Sequence, residues 1–227
     1  MEIIKTKNLT KVYSNNGLEV KAVNHIDLSI EEGEFTAIVG PSGSGKTTLL
    51  NMIGGLDDST EGAVEIAGIN ISSLSENELI DFRLKNIGFV FQAYNLIPVL
   101  TAKENVEFIM LLQGLSKEKR KQRSEELLIE VGLADKLNSR PNQLSGGQQQ
   151  RVAVAGALAS KPSFILADEP TANLDSHSTS TLLDMMAEMN EKEKVTFLFS
   201  THDQRVIDKA RRVITIEDGK IIKDERR

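Results

Sequence analysis

Short apolar, β-prone runs separated by turn residues dominate the first third of the chain. Three such runs occupy residues 3–13, 20–30 and 35–39. Glu32-Gly33 supplies turn chemistry between the last two runs. The third run leads directly into a glycine-rich stretch, after which residues 47–54 carry leucine and isoleucine at helical spacing. This pattern predicts a strand, a loop and a helix in immediate succession.

Strands and helices alternate in the pattern of the core beyond this point. Strands are predicted at residues 63–66, 87–91, 164–167 and 195–199. Helices are predicted at residues 75–85, 178–190 and 204–210. Ser75 and Glu78 open the first of these helices as a capping box, and a terminal hairpin turns at Asp218-Gly219 between 213–216 and 220–222. The alternation predicts an α/β fold with a mostly parallel sheet.

The middle of the chain has a different character. From about residue 101 to 140 the pattern is helical and begins at a capping box of Thr101 and Glu104. Residues 117–126 mix both charge signs, which is typical of a solvated helix face rather than of a binding patch. We interpret this region as a helical lobe inserted into the α/β core.

Composition limits the classes of function. The 227 residues, 40% hydrophobic, suffice for one large domain or a domain with an inserted lobe. We find no apolar run of about 18 residues, and charges interrupt the N-terminal stretch, so neither a membrane span nor a secretory signal is expected. The absence of cysteine excludes disulfides and thiolate metal sites. A net charge of −6 argues against broad nucleic-acid binding, so we expect no nucleic-acid partner.

Residues 40–47, Gly-Pro-Ser-Gly-Ser-Gly-Lys-Thr, match the phosphate-binding loop. Its glycines let backbone N–H groups surround phosphate oxygens, and the next helix adds its positive N-terminal end. Lys46 would reach the β- and γ-phosphates, and the Thr47 hydroxyl would bind Mg²⁺. A flexible glycine–serine turn is the alternative, which the flanking strand and helix disfavour. The candidate nucleotide-binding residues of this loop are Gly40, Ser42, Gly43, Ser44, Gly45, Lys46, Thr47 and Thr48.

Two carboxylates end the predicted strand at 164–167. Asp168 would hold Mg²⁺ through water. Glu169 follows it and, by strand alternation, points elsewhere, where it could orient or deprotonate an attacking water. A surface Asp-Glu pair before proline is the alternative reading of these residues.

The stretch Ser145-Gly146-Gly147-Gln148 supports two interpretations that are compatible. Ser145 and Gln148 form a capping box for a helix that continues to Ser160. Such a helix start exposes backbone N–H groups and a hydroxyl, which suit a terminal phosphate. Because this chain's own loop already surrounds one phosphate, the arrangement makes sense if it faces the nucleotide of a second subunit.

These residues together resemble the ATP-binding cassette of ABC transporters, from Tyr13 to His202. The resemblance implies a P-loop NTPase core, an N-terminal antiparallel β subdomain and an inserted α-helical subdomain. It implies one domain, with the nucleotide-binding core at 1–92 and 162–227 and the helical lobe at about 93–161. Two copies of such a cassette enclose two ATP molecules, each between one Walker A loop and the opposite signature sequence.

The resemblance also implies roles for residues that by themselves indicate little about function. Tyr13 would stack on adenine, although it fits equally well as an ordinary strand aromatic. Gln92 would sense nucleotide and Mg²⁺, and His202 would contact the γ-phosphate. The implied catalytic residues are Lys46, Gln92, Glu169 and His202. The implied Mg²⁺ ligands are Thr47, Gln92 and Asp168, and the implied signature residues are Ser145, Gly146, Gly147 and Gln148.

A narrower resemblance links residues 88–106 and 142–151 to the MacB, LolD and FtsE group. It implies an integral membrane subunit that docks near Tyr94, Leu96, Ile97 and Pro98, and hence a cytoplasmic protein attached to the inner face of the membrane. Packing under the helical lobe is the alternative for these four residues. Gly156 stands where the family often has arginine, so hydrolysis is expected to be slow or differently coupled.

The sequence is compatible with more than one function. The chain would serve either export or extraction of a lipoprotein, peptide or drug-like cargo, or FtsE-like transmembrane signalling without cargo. A soluble repair or translation ATPase is disfavoured, because the spacing between Lys46 and Asp168 is too short for the long coiled coil of repair ATPases and only one cassette is present. An ATP-binding module without catalysis is disfavoured because both Glu169 and His202 are present.

Overall fold

The computed structural model describes residues 1–15 and 18–227, which form two β-sheets and a helical lobe. The strands are β1 (Glu2–Asn15), β2 (Leu18–Glu31), β3 (Phe35–Val39), β4 (Glu61–Ile66), β5 (Ile69–Asn70), β6 (Ile87–Val90), β7 (Phe164–Asp168), β8 (Thr196–Ser200), β9 (Arg212–Glu217) and β10 (Lys220–Arg226). The helices are α1 (Lys46–Ile53), α2 (Glu76–Asn86), α3 (Ala102–Leu112), α4 (Lys117–Glu130), α5 (Gly146–Ala159), α6 (Ser176–Glu193) and α7 (Gln204–Lys209).

The larger sheet has the strand order β10-β9-β3-β8-β7-β6. Every pair from β9 to β6 is parallel, and β10 adds to the edge as an antiparallel strand. β3, β7 and β8 are apolar almost throughout because both faces of this sheet are covered. Asp218 and Gly219 have φ angles of 47° and 73°, as the two-residue turn between β9 and β10 requires, so the predicted hairpin is confirmed.

The smaller sheet is antiparallel, with the order β2-β1-β4-β5. Its inner face and α1 share a hydrophobic core with one face of the larger sheet, to which Ile4, Ile30, Leu49 and Leu198 contribute. This confirms the predicted α/β fold with a mostly parallel sheet and an antiparallel N-terminal part. The short strand β5 has no counterpart in the sequence prediction.

The helical lobe consists of α3, α4 and α5, which pack on the other face of the larger sheet. The Thr101 capping box is present, with the Glu104 amide donating to the threonine hydroxyl at 3.2 Å. α4 exposes most of its charged side chains and buries Leu127 and Leu128, as expected of a solvated helix face.

The prediction of helical structure as far as residue 140 is wrong for its last part. α4 ends at Glu130, and the chain then forms turns and a single 3₁₀ turn at Pro141–Gln143. Gly132, with φ 69°, ends the helix in a left-handed conformation that favours glycine. Pro141 has no backbone N–H with which to continue a helix.

The topology brings several strand ends together. Because β3, β7 and β8 are parallel neighbours, their carboxyl ends at Val39, Asp168 and Ser200 lie at one edge of the sheet. That edge is where ligands bind in open α/β sheets. Among residues 1–15 and 18–227, no helix combines the length and apolar character needed to cross a membrane.

Candidate functional site

The glycine-rich loop connects β3 to α1 and is shaped by close backbone contacts. A Cβ atom at Gly40 would lie 2.1 Å from the Ile216 carbonyl oxygen, and one at Gly45 would lie 2.0 Å from that of Ala22. Gly45 also precedes α1 with φ 102°, in the region that favours glycine. Only glycine therefore fits at these two positions, and the loop is held against β2 and the end of β9.

The loop forms one wall of a pocket of about 530 Å³ at the carboxyl edge of the larger sheet. The lining residues are Ala22, Gly40, Pro41, Ser42, Gly43, Gly45, Lys46, Thr47, Thr48, Gln92, Glu169, Ala172 and His202. The pocket thus gathers residues predicted from four separate parts of the sequence. Ala22, Pro41 and Ala172 were missed, since an apolar residue that contributes backbone or surface leaves no chemical signal in a sequence.

Two features make the loop suited to an anion. The Lys46 ammonium, on a residue only 8% exposed, donates to the carbonyl oxygens of Gly40 at 2.9 Å and Pro41 at 3.0 Å. An ammonium has three donors, so one remains for a ligand. The buried Ser44 hydroxyl has no partner within the described protein, and the first amides of α1 are unpaired as at every helix start. A phosphate would meet these donors.

The residues predicted to hold Mg²⁺ are brought together. Thr47 Oγ1 donates to Asp168 Oδ1 at 3.1 Å, across the gap between α1 and β7. Gln92, which follows β6, lines the same pocket. Hydroxyl, carboxylate and amide oxygens are the hard ligands that Mg²⁺ prefers, so this donor set fits the ion.

Glu169 lines the pocket, where the predicted role toward an attacking water would place it, and Asp168 is not among the lining residues. β7 ends at Asp168, and Glu169 has a left-handed backbone with φ 47°, so strand alternation does not extend to it. Glu169 Oε1 lies 2.8 Å from His202 Nδ1, while Oε2 is buried without a partner in the described structure. Glu169 therefore presents a carboxylate oxygen without a hydrogen-bond donor beside the phosphate loop. Burying an acceptor without a donor costs free energy, which a bound donor such as water would recover.

The stretch Ser145–Gln148 begins α5 and is not part of the pocket lining on this chain. The predicted capping box is present: the Gln148 amide donates to Ser145 Oγ at 3.3 Å, and the Ser145 amide donates to the Gln148 side chain at 2.9 Å. The two glycines have a packing reason as well. A Cβ at Gly146 would lie 2.7 Å from the Tyr94 hydroxyl, and one at Gly147 would lie 2.6 Å from Ser178 Oγ.

Tyr13 lies near the end of β1, beside the beginning of α1. Its hydroxyl donates to Asp57 Oδ2 at 2.5 Å, and the residue is 44% exposed. Burial opposes ionisation of Asp57, but hydrogen bonds from Lys11 and Tyr13 outweigh it, and the pKa of Asp57 is lowered. Stacking of Tyr13 on adenine stays a prediction.

A second, apolar groove of about 310 Å³ lies between the helical lobe and β6. Its lining includes Tyr94, Leu96, Ile97 and Gly156, and no charged side chain is among its described lining residues. Pro98 follows at the surface and is exposed. Three of the four residues predicted to receive a partner therefore share one groove with Gly156.

Asn173 connects the groove to the pocket. Its side-chain amide donates to the Gln92 carbonyl oxygen at 3.0 Å, and its own carbonyl oxygen accepts from the Tyr94 hydroxyl at 3.5 Å. No local pattern in the sequence indicates this bridging position.

Comparison with known proteins agrees with this arrangement. The sequence profile described as ABC transporter matches residues 23–172. The uncharacterized ABC transporter ATP-binding protein MJ1508 of Methanocaldococcus jannaschii is 48% identical over 220 residues, which are 97% of this chain and 98% of that protein. The macrolide export ATP-binding/permease protein MacB of Hyphomonas neptunium is 46% identical over 222 residues, 98% of this chain but 34% of that longer protein.

A solved structure extends the likeness to three dimensions. The dimeric, post-hydrolysis form of the ATP-binding cassette MJ0796, bound to ADP and Pi, matches with a TM-score of 0.91 at 45% sequence identity, covering 99% of this chain and 98% of that chain. The family profile and the similarity over nearly the full length lead to one conclusion: the chain belongs to the ABC transporter family.

Proposed function

We propose that the chain is the ATP-hydrolysing subunit of a MacB-like ABC transporter, which dimerises around two ATP molecules to drive a membrane partner in export or extraction of a cargo. The observation that carries the proposal is the convergence of Lys46, Thr47 and Glu169 on one pocket. A phosphate-binding loop alone binds nucleotide, but a loop facing a buried, unsatisfied carboxylate is suited to hydrolysis.

Each residue has a chemical task in this proposal. Lys46 and the amides of the loop bind the β- and γ-phosphates and stabilise the charge that develops on them. Thr47, Asp168 and Gln92 hold Mg²⁺, which when bound neutralises charge on the phosphate oxygens. Glu169 orients the attacking water and accepts its proton, and His202 holds the carboxylate in place at 2.8 Å.

The signature residues act in the partner copy's site. Ser145, Gly146 and Gly147 begin a helix whose N-terminal amides are available to an anion, and they do not line the pocket of their own chain. The related cassette MJ0796 is dimeric with ADP and Pi bound. We infer that two copies of this chain pair so that each signature covers the phosphates held by the other.

The membrane partner docks in the apolar groove near Tyr94, Leu96, Ile97 and Pro98. In the MacB relative an ATP-binding part and a permease belong to one protein, of which this chain matches about a third. A groove without charged lining residues suits an apolar helix of such a permease. The chain is then cytoplasmic and attached to the membrane through that partner. The second candidate function of this chain with its membrane partner is FtsE-like transmembrane signalling without a cargo.

The ATPase proposal is tested with two variants of the pocket. Glu169→Gln should bind ATP, fail to hydrolyse it and accumulate as a dimer in ATP and Mg²⁺, as measured by light scattering after gel filtration. Lys46→Ala should lose most of its affinity for ATP, whereas Lys117→Ala, on the exposed start of α4, should bind normally. A Glu169→Gln protein that stays monomeric at saturating ATP, or a Lys46→Ala protein that binds ATP fully, would contradict the assigned site.

The docking proposal is tested by co-purification from membranes. Ile97→Glu should abolish recovery of the chain with an integral membrane protein, because it buries a charge in the groove. Ile129→Glu is the matched control, since Ile129 is 59% exposed on α4 and does not line the groove. Equal recovery of both variants would contradict docking at this groove.

A further inference from the structure

Lys11, Tyr13 and Asp57 form a connected cluster beside the beginning of α1. Lys11 and Tyr13 are two residues apart on β1. Asp57 lies in the connection between α1 and β4. Lys11 Nζ donates to Asp57 Oδ1 at 2.5 Å and to the Asp58 carbonyl oxygen at 2.7 Å, and the Tyr13 hydroxyl donates to Asp57 Oδ2 at 2.5 Å. Asp57 thus binds the two side chains at once.

The Lys11 ammonium also lies over the Tyr13 ring, 5.1 Å from its centre. An ammonium within about 6 Å of an aromatic face is attracted to it and covers that face. Since Tyr13 is 44% exposed, the ring keeps apolar surface available for a ligand. Because Lys11 covers one face of the Tyr13 ring, a base can stack only on the opposite face.

The cluster adjoins the phosphate pocket. Thr48, which lines the pocket, also interacts with the Tyr13 hydroxyl. Ala22 lines the pocket as well and lies on β2, the strand that pairs with β1 at this end. A nucleotide with its phosphates in the loop therefore has its base within reach of this side of α1.

The strand alone does not fix the orientation of the ring. The pairing of β1 with β2 shifts register between Lys11 and Val12, and irregular pairing of this kind redirects the side chains that follow. The hydrogen bond to Asp57 raises the pKa of Tyr13, and the pKa of Asp57 is lowered as described above. Near neutral pH the phenol is therefore the donor and the carboxylate the charged acceptor, which is a strong type of hydrogen bond.

We propose that Lys11 and Asp57 are positioning residues that hold the Tyr13 ring as a one-sided platform for the base of bound ATP. This rests on the proposed function, which takes ATP as the ligand of the pocket. Lys11 covers one face of the ring and neutralises Asp57, and Asp57 fixes the phenol, so the ring needs no reorientation when the base arrives. Ordering the ring in advance lowers the cost of binding the base and leaves the binding of the phosphates unchanged.

The test compares two ligands that share phosphates but not the base: ATP and inorganic tripolyphosphate, each with Mg²⁺, by calorimetry on the full chain. Tyr13→Ala should weaken ATP binding by about 5- to 150-fold, the range for loss of one base-stacking contact. Lys11→Met and Asp57→Asn should each weaken ATP binding by about 2- to 5-fold, the range for one exposed cation–π contact. Affinity for tripolyphosphate should stay at the wild-type value in all three variants.

Controls separate positioning from general stability. Lys7→Met breaks another cation–carboxylate pair on β1, to Glu65 at 2.6 Å, and should leave both affinities unchanged. Lys11→Arg keeps a cation over the ring and should restore ATP binding. In the Tyr13→Ala background, Lys11→Met should have no further effect, because it acts through the ring.

Three results would overturn the platform. The first is wild-type affinity for ATP in both Lys11→Met and Asp57→Asn; the second is an equal loss of affinity for ATP and tripolyphosphate in these variants. The third is a further loss from Lys11→Met in the Tyr13→Ala background. A wild-type protein that binds neither ligand would instead overturn the proposed function itself, so the two failures are distinguishable.

Discussion

Alanine at Gly147 and at Gly156 should change stability in opposite directions, although both glycines lie on α5. A Cβ at Gly156 would meet no heavy atom within 4 Å outside its own helix. Gly156→Ala should therefore raise the free energy of unfolding by about 1 kcal/mol, the cost of glycine in a helix interior. A Cβ at Gly147 would lie 2.6 Å from Ser178 Oγ and 2.7 Å from Ser178 Cβ, so one of the two helices must shift.

The overlap at Gly147 cannot be relieved by a simple rotation of the serine. Ser178 Oγ donates to Asp175 Oδ2 at 2.6 Å, and its Cβ, which does not move with χ1, overlaps as well. Overpacking of this kind costs about 1–3 kcal/mol, more than the gain of at most about 1 kcal/mol from helix propensity. Gly147→Ala should therefore lower the free energy of unfolding, by up to about 2 kcal/mol once the propensity gain is subtracted.

Thermal unfolding followed by circular dichroism measures both variants. In a chain of this size 1 kcal/mol shifts the melting temperature by about 2–4 °C. Gly156→Ala should melt above the wild type and Gly147→Ala below it, and urea midpoints should move in the same directions. Shifts of the same sign in both variants would refute the reasoning from packing, because helix propensity alone acts alike at the two sites.

Three further predictions concern the ion pairs of Arg212, which lies on β9, and the groove. Arg212→Met should lower the free energy of unfolding by about 3 kcal/mol, because it leaves Asp224 without its ion-pair partner and Glu34 with Arg226 alone. Lys223→Met on β10 should change it by less than about 0.5 kcal/mol, and equal urea midpoints would contradict this. The Arg212 guanidinium holds the pKa of Asp224 below its usual value, so the stabilisation is present above about pH 4 and is lost as the pH falls through the lowered pKa. The urea midpoints of wild type and Asp224→Asn should therefore differ at pH 7 and converge as the pH falls through the lowered pKa of Asp224, and a constant difference would contradict the assignment. Gly156→Arg should place a cation in the groove and brace the lobe, which should raise both ATP turnover and stability, and wild-type values of both would argue against a role for this glycine.

The elements that the sequence predicted best are those whose signal is local. The strand at 35–39, the loop and α1 follow from a run of apolar residues, a fixed glycine spacing and helical periodicity, and the structure contains them within one residue. The turn at Asp218-Gly219 is equally local, since positive φ at both residues is what these residue types tolerate. The capping boxes at Ser75, Thr101 and Ser145 also depend on four neighbouring residues only.

The parts that were wrong or missed depend on tertiary contacts. Glu169 has a left-handed backbone directly after β7 ends, a conformation that strand alternation does not indicate. Asn173 bridges two segments that are distant in sequence, and Ala22 contributes through its carbonyl oxygen rather than its side chain. The packing of Gly147 against Ser178 likewise joins two helices whose approach the sequence does not specify.

The short segment from Gln92 to Tyr94 connects the nucleotide pocket with the apolar groove and can couple binding at the two sites. One end of it lines the pocket, the other end lines the groove, and Asn173 bonds to both ends. In a protein that works as proposed, a membrane helix in the groove and a nucleotide in the pocket act on the same few peptide units. Thermodynamic linkage is reciprocal. If bound ATP raises the affinity of the groove for the membrane helix by some factor, the bound helix must raise the affinity of the pocket for ATP by the same factor.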